Sequence, residues 1–347
     1  MQTNTTRDKT IDFIKGILIL FVILGHTTLG LTDMYSFDDT MNGIANVIYS
    51  FHMPCFIAVS GFLYSEYVGN VSQGIFSRIF HKAFNILLPY VMISVIYWII
   101  KFALSNLIRE PIAVSSLISI PWKPIEFLWY LYALFLIYCV AYMADYVFAR
   151  LLPHFNYKME LLFVLFLIIA FTCYGSFHYV GFNYIAGFQM YFYLGCLIKK
   201  WLDKLDNRYA VLSLAVMSVL VEASGIVLQD DISSNPFFSS LFERLTACIV
   251  TVFIFAVSYF LSEYCDFPKW VQTIGRDSMP FYAMHVIFVG GIRIILDRAG
   301  ITNMALQCIC GFEGSTAICW ILYERIIKKI RFIDFIFYPG KQLHIRK

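Results

Sequence analysis

The chain has 347 residues, of which 60% are hydrophobic and only 14% charged, with a mean hydropathy of +0.71. A soluble domain carries closer to a quarter charged residues, so these values exclude a soluble fold and mark an integral membrane protein. The formal net charge is only +3, and no basic stripe with interleaved aromatics occurs, which excludes a nucleic-acid interface.

Apolar runs of about 20 residues recur along the chain, each long enough to cross a bilayer. They predict an all-α polytopic membrane helical bundle with about ten transmembrane helices, at roughly 11–31, 44–67, 84–105, 127–148, 160–178, 182–199, 209–228, 237–262, 280–296 and 302–327. These runs use most of the sequence. The expected organisation is therefore one transmembrane domain over 1–347, with a flexible N-terminus at 1–6 and a cytoplasmic tail at 331–347. With the N-terminus inside, 20 of the 26 lysines and arginines fall on inner segments, and Lys101, Arg109, Lys123, Arg244, Arg293 and Arg298 fall on or near outer ones. Two outer loops are acidic, with Asp33, Asp38 and Asp39 in one and Asp230 and Asp231 in the other. This bias predicts both termini in the cytoplasm. The first run is full length and lacks a small-residue cleavage site, so it is expected to stay as a span rather than act as a signal peptide.

The first span reads IDFIKGILILFVILGH, Ile11 to His26. Membrane helices rarely keep an ionisable group without a use, so His26 is a functional-site candidate. Eleven residues at about 100° each bring Lys15 and His26 to within roughly 20° of one face, about 16 Å apart along the axis. Asp12 lies near that face. An imidazole in this position can act as a base near neutral pH, or it can simply bond across helices. Lys15 can hold an anion at the inner boundary, or snorkel there as a topology signal.

In the second span His52 and Ser60 are eight residues apart, about 80° on an ideal helix, so they need not face one point. Pro54 is expected to perturb that helix near its start. Gly61 suits close helix packing. Arg78 and Lys82 are placed on a basic inner loop, Asn70 to Lys82. The longest outer loop, about Ser105 to Glu126, carries Pro111, Pro121 and Pro124 and would form the rim of a substrate entrance. Trp129 and Tyr130 fit either interfacial anchoring or a stacking surface. Glu222, Glu243 and Arg244 match no motif, and a salt-bridged interior is expected for them. Ser278, Tyr282 and His285, at spacings of four and three, share one helix face that should look into the bundle. The nine cysteines are scattered, with Cys308 and Cys310 the only close pair. No spacing suggests zinc or a redox motif, so no metal site is expected.

Several segments together resemble the membrane-bound acyltransferase-3 family. IDFIKGILILFVILGH resembles its opening: an Ile-Asp pair, a basic residue, ten further residues, then the active-site histidine. FHMPCFIAVSGFLY (51–64), LWYLYALF (128–135), YFYLGCLIKK (191–200) and IGRDSMPFYAMH (274–285) are similar to later family segments, in the same order. The likeness runs from about residue 7 to 330. Many members carry arginine where this chain has Lys15, and lysine lacks the planar fork. No soluble esterase-like domain, as found in some members, is expected within these 347 residues.

The resemblance implies an O-acyltransferase, with an O-acetyltransferase as the leading form. His26 would be the general base, with a transient acyl-histidine as a variant. Lys15, with Arg78 and Lys82, would hold the phosphates of cytoplasmic acetyl-CoA (acyl-CoA), a co-substrate that needs no metal. Asp12, His52, Ser60, Trp129, Ser278, Tyr282 and His285 would bind substrate or support the site. The acceptor would be a hydroxyl of a bacterial surface sugar or lipid-linked glycan, and the location the bacterial cytoplasmic (inner) membrane, with several passes. The partners implied are acyl-CoA, the glycan acceptor and the lipid bilayer, with no nucleic acid; a homo-oligomer stays open. From another class, a proton-coupled transporter or flippase of a glycan-related substrate would also use intramembrane His, Lys and Asp, although no internal repeat is visible. A structural subunit without chemistry is the third reading.

Overall fold

A computed structural model describes residues 8–32, 39–68, 74–103, 105, 113–173, 175–177, 179–205, 207–227 and 235–343. Among these residues all regular structure is helical. In chain order the helices are α1 (Lys9–Thr32), α2 (Asp39–Val68), α3 (Ile75–Lys82), α4 (Leu88–Ala103), α5 (Ser115–Ser119), α6 (Trp129–Leu151), α7 (Lys158–Cys173), α8 (Val180–Leu205), α9 (Arg208–Val227), α10 (Pro236–Ser262), α11 (Lys269–Arg276), α12 (Ser278–Arg298), α13 (Met304–Leu322), α14 (Arg331–Phe337) and α15 (Pro339–Leu343). The expected all-α polytopic bundle is what forms.

Each of the ten apolar runs carries a helix, and among the described residues eight stretches are long and apolar enough to cross a membrane. Helix α7 has only 16 residues. Helix α8 has 26, but Asn183, Gln189 and three tyrosines dilute its hydropathy, and Gln189 is fully buried rather than turned to lipid. The third span also starts earlier than expected. Helix α3 runs through a wider π-type turn at Ala83–Leu87 into α4. Arg78 and Lys82 therefore sit on a helix and not on the inner loop assigned to them. Helix α2 runs through Pro54 without a break.

Two compact units make up the chain: residues 1–63 with 194–324, and residues 64–193 with 325–347. In the first, α1 starts where Asp8 takes up the open backbone N–H groups of Thr10 (2.8 Å) and Ile11 (3.3 Å), an N-cap. Asn235 and Asn303 do the same for α10 and α13. Helix α12 ends at Gly300, whose φ of +73° suits a residue without Cβ. There Ile301 N–H bonds the Leu296 carbonyl (3.0 Å) and Gly300 N–H the Asp297 carbonyl (2.9 Å), the paired bonds of a Schellman stop. At the C-terminal end of α1, Arg293 donates to the Gly30 carbonyl at 2.6 Å, one of the acceptors a helix end leaves open.

Helix α1 packs along α10, α11, α12 and α13. The contact with α11 is backbone on backbone. A Cβ on Gly16 would collide with the Val271 carbonyl, and one on Gly275 with the Asp12 carbonyl. Phe13 stacks on Phe267 with centroids 3.8 Å apart. A Cβ on Gly195 would strike the Ala58 carbonyl, and the Cys196 thiol donates to the Gly61 carbonyl at 3.2 Å. Two of the sequence segments singled out above, 51–64 and 191–200, thus meet through their glycines.

In the second unit α4 holds residues 113–126, whereas part of the expected rim, Pro111 included, lies outside the described residues. Tyr90 donates to the Ile120 carbonyl (2.5 Å), Trp98 to the Ala113 carbonyl (3.1 Å) and Tyr97 to Glu126 (2.6 Å). Lys101 pairs with the same Glu126. Glu126 has a φ of +41°, strained for a side-chain-bearing residue, and its two clamped carboxylate oxygens hold it there. The expected tail at 331–347 begins with α14 and α15, and α14 packs on α4.

Candidate active site

Three histidines from three helices gather in the first unit. The His26 ring (α1) lies 5.0 Å from the His285 ring (α12), centroid to centroid. Tyr49 of α2 stands edge-on between two of them, 6.0 Å from His26 and 4.8 Å from His52. Its hydroxyl is 3.4 Å from His26 Nδ1, a long hydrogen bond. Gly25 makes this approach possible: a Cβ there would lie 3.2 Å from the Tyr49 ring and 3.1 Å from Ile48. The glycine before the histidine gives the tyrosine its room.

The three rings are not equivalent. His52 Nδ1 is 2.7 Å from the Ile48 carbonyl, and His285 Nδ1 is 2.7 Å from the Tyr282 carbonyl. A carbonyl can only accept, so each Nδ1 carries the proton and Nε2 is left as the basic nitrogen. Both rings are buried, whereas His26 keeps part of its surface open. Among the described residues no group of three or more His, Cys, Asp or Glu is placed to hold a metal ion.

Toward the N-terminal end of α1, Asp12 is buried and Lys15 partly exposed, beside the close crossing of α11. The segment Ile274–His285 gains a physical reading here. Gly275 permits the crossing, and Arg276 donates to Asp277 at 2.8 Å. Tyr323 donates to the same oxygen at 2.6 Å. The chain then enters α12, which carries Tyr282 and His285 to the cluster, with those two rings 6.1 Å apart. Ser278 opens α12, about 10 Å along the axis from His285, so the stripe does not converge as a unit. Ser60 bonds its own helix at Phe56 (3.2 Å).

Arg78, Lys82 and Trp129 belong to the second unit. Asp145 of α6 is buried there and accepts from Tyr64 and from Lys158 (2.6 Å), with Arg78 at 3.9 Å. Arg78 lies over the Tyr142 ring at 5.3 Å, and Lys82 over the Tyr138 ring at 3.8 Å, both cation–π distances. Trp129 stacks on Tyr184 (5.2 Å) and leans on Phe188 (5.1 Å), so its ring joins α6 to α8.

Sequence reasoning missed Asp145, although a lone acid inside an apolar run was its signal. It also missed Tyr49 and Ser50, whose hydroxyls are unremarkable in sequence. Glu222 and Glu243 each meet a hydroxyl, and Arg244 of the same group is buried. Glu222 accepts from the Ser50 hydroxyl at 3.0 Å, and Glu243 from Ser239 one turn away at 3.2 Å.

Fold and site together define a multi-pass helical membrane protein with a histidine cluster set inside its spans. The acyltransferase domain family, acyltransferase-3, matches residues 8–324, and the chain belongs to it. Among curated proteins it is similar to nodulation protein NolL of Mesorhizobium japonicum, 30% identical over 157 residues, covering 44% of this chain and 38% of that protein. NolL of Sinorhizobium fredii is 38% identical over 84 residues, covering 24% of this chain and 22% of that protein. The matched stretches thus span well under two thirds of these relatives. No solved structure matches.

Proposed function

We propose that this chain is a membrane O-acyltransferase that moves an acetyl group from cytoplasmic acetyl-CoA to a hydroxyl of a cell-surface sugar or lipid-linked glycan. The observation that carries this reading is the inequality of the three histidines. His52 and His285 are buried with Nδ1 tied to backbone, and His26 alone of the three retains open surface. A group that exchanges protons with a substrate must be reachable, and its neighbours must keep it in place.

His26 takes the proton of the acceptor hydroxyl as that oxygen bonds to the acyl carbon. The carbon–sulfur bond then breaks, and the imidazolium returns the proton to the departing sulfur. His285 and Tyr49 flank the ring on two sides and fix its plane. Lys15, about 16 Å toward the inner end of α1, attracts the donor's phosphates. Asp12, buried beside the α11 crossing, supports the turn that carries Lys15, and Tyr282 braces His285. Exclusion of water inside the spans protects the thioester from hydrolysis. Lysine and arginine bias supports both termini in the cytoplasm, with the chain in the bacterial cytoplasmic membrane.

The test is acetyl transfer by purified protein in proteoliposomes, with acetyl-CoA outside and sugars on either side. Thiol release that depends on a sugar acceptor is expected. Movement of a glycan across the bilayer without acetyl-CoA, and no thiol release, would contradict the reading.

A further inference from the structure

We infer that Glu222, Ser50 and Tyr49 form the acceptor subsite beside His26, and that it selects neutral polyhydroxyl acceptors over anionic ones. The inference rests on the acyl-transfer reading above. Glu222 lies on α9 within an apolar span and is half-buried. Among the described residues its recorded partner is a neutral hydroxyl, Ser50, at 3.0 Å. Intramembrane carboxylates are costly, and they are kept where they pair with charge or meet a substrate. The single Ser50 proton is shared between Glu222 (3.0 Å) and the Val47 carbonyl (2.8 Å), and a carboxylate has room for further donors.

A second observation points to the same place. Pro54 has no N–H, so α2 supplies no helical donor to the Ser50 carbonyl four residues earlier. That carbonyl adds a backbone acceptor beside the carboxylate. On the preceding residue, Tyr49 is exposed and reaches His26 Nδ1 at 3.4 Å. This turn of α2 thus holds the Glu222 carboxylate at Ser50, an open backbone carbonyl, and the Tyr49 phenol oxygen that reaches the proposed base. This set is rich in acceptors, and its natural complement is a molecule with several O–H donors and an apolar ring face for Tyr49. A second negative charge would be repelled by Glu222.

Depth agrees. Glu222 stands about 21 Å along α9 from Arg208, and His26 about 26 Å along α1 from Lys9. Both helices start on the inner side in the proposed orientation, so carboxylate and imidazole lie at similar levels in the outer half of the bilayer.

The experiment uses the full chain in proteoliposomes with radiolabelled acetyl-CoA. The probes are methyl β-D-glucopyranoside, methyl α-D-mannopyranoside, methyl α-D-galactopyranoside and the uronic acid of the first. Glu222→Gln preserves size and a hydrogen bond to Ser50 but removes the charge. The acceptor KM is expected to rise about 10-fold or more, the scale of a bond to a charged group, while the KM for acetyl-CoA stays unchanged. The preference for glucoside over glucuronide should shrink by a similar factor, which a merely structural role would not produce. Ser50→Ala should give a smaller rise of about 3-fold. An unchanged acceptor KM and unchanged selectivity in Glu222→Gln overturn the subsite and leave acyl transfer standing. Acetyl-CoA turnover by wild type with no glycoside acetylated also overturns it. A wild-type protein that turns over no acetyl-CoA overturns the parent reading, and this inference with it.

Discussion

Replacing Gly275 with alanine probes the contact that positions the inner end of α1. The added methyl would lie 2.9 Å from the Asp12 carbonyl carbon and 2.5 Å from the Gly16 nitrogen, and closer still to the Asp12 oxygen. Ordinary contact needs about 3.5 Å or more. These are backbone atoms inside a hydrogen-bonded helix and cannot rotate aside. Helix α11 must therefore withdraw by about 1.5 Å, at an overpacking cost at the upper end of about 1–3 kcal/mol. The apparent melting temperature in detergent should fall by about 2–6 °C. Because α11 packs against the α1 turn that carries Lys15, its withdrawal loosens that turn, and kcat/KM for acetyl-CoA should fall by about 10–100-fold. Gly290→Ala is the control, since a methyl there meets nothing within 4 Å. The packing argument is refuted if Gly275→Ala melts and turns over like that control.

Asp145→Asn should cost about 2–3 kcal/mol, because Lys158 and Arg78 lose their shared carboxylate in a largely buried setting. Unfolding midpoints would show it, and pairing it with Lys158→Ala should give a loss smaller than the sum. His285→Gln keeps the fold but lets the His26 ring drift, so kcat should drop about 10–100-fold with little change in acceptor KM. Equilibrium dialysis with coenzyme A should show Lys15→Ala binding about 10-fold more weakly and Lys15→Arg binding nearly as well as wild type; equal affinity in all three would remove Lys15 from the donor site.

His26 was legible from sequence because an imidazole stands out within a run of Leu, Ile and Val. Its surroundings were legible only in part. His285 carried a spacing signal, and the structure brings it to His26, but the same spacing implicated Ser278, which lies two turns away. Tyr49 and Ser50 carry no signal, since a hydroxyl in a span usually bonds its own helix; their role depends on where α1 and α9 pass α2. Arg78 and Lys82 were misplaced onto a loop because α3 is only eight residues long and polar on one side, too short for periodicity to outweigh its charges. The glycines show a further limit. Composition cannot separate Gly195 and Gly275, which each carry a neighbouring backbone in van der Waals contact, from Gly290 and Gly291, whose surroundings are open.

The most direct measurement is the rate of acetyl transfer by His26→Ala, set beside its melting temperature and its affinity for coenzyme A. The account predicts a loss of about 10²–10⁴-fold in kcat, the range of general-base catalysis, in a protein that inserts, melts and binds the donor as wild type does. Near-normal turnover by that variant would contradict it.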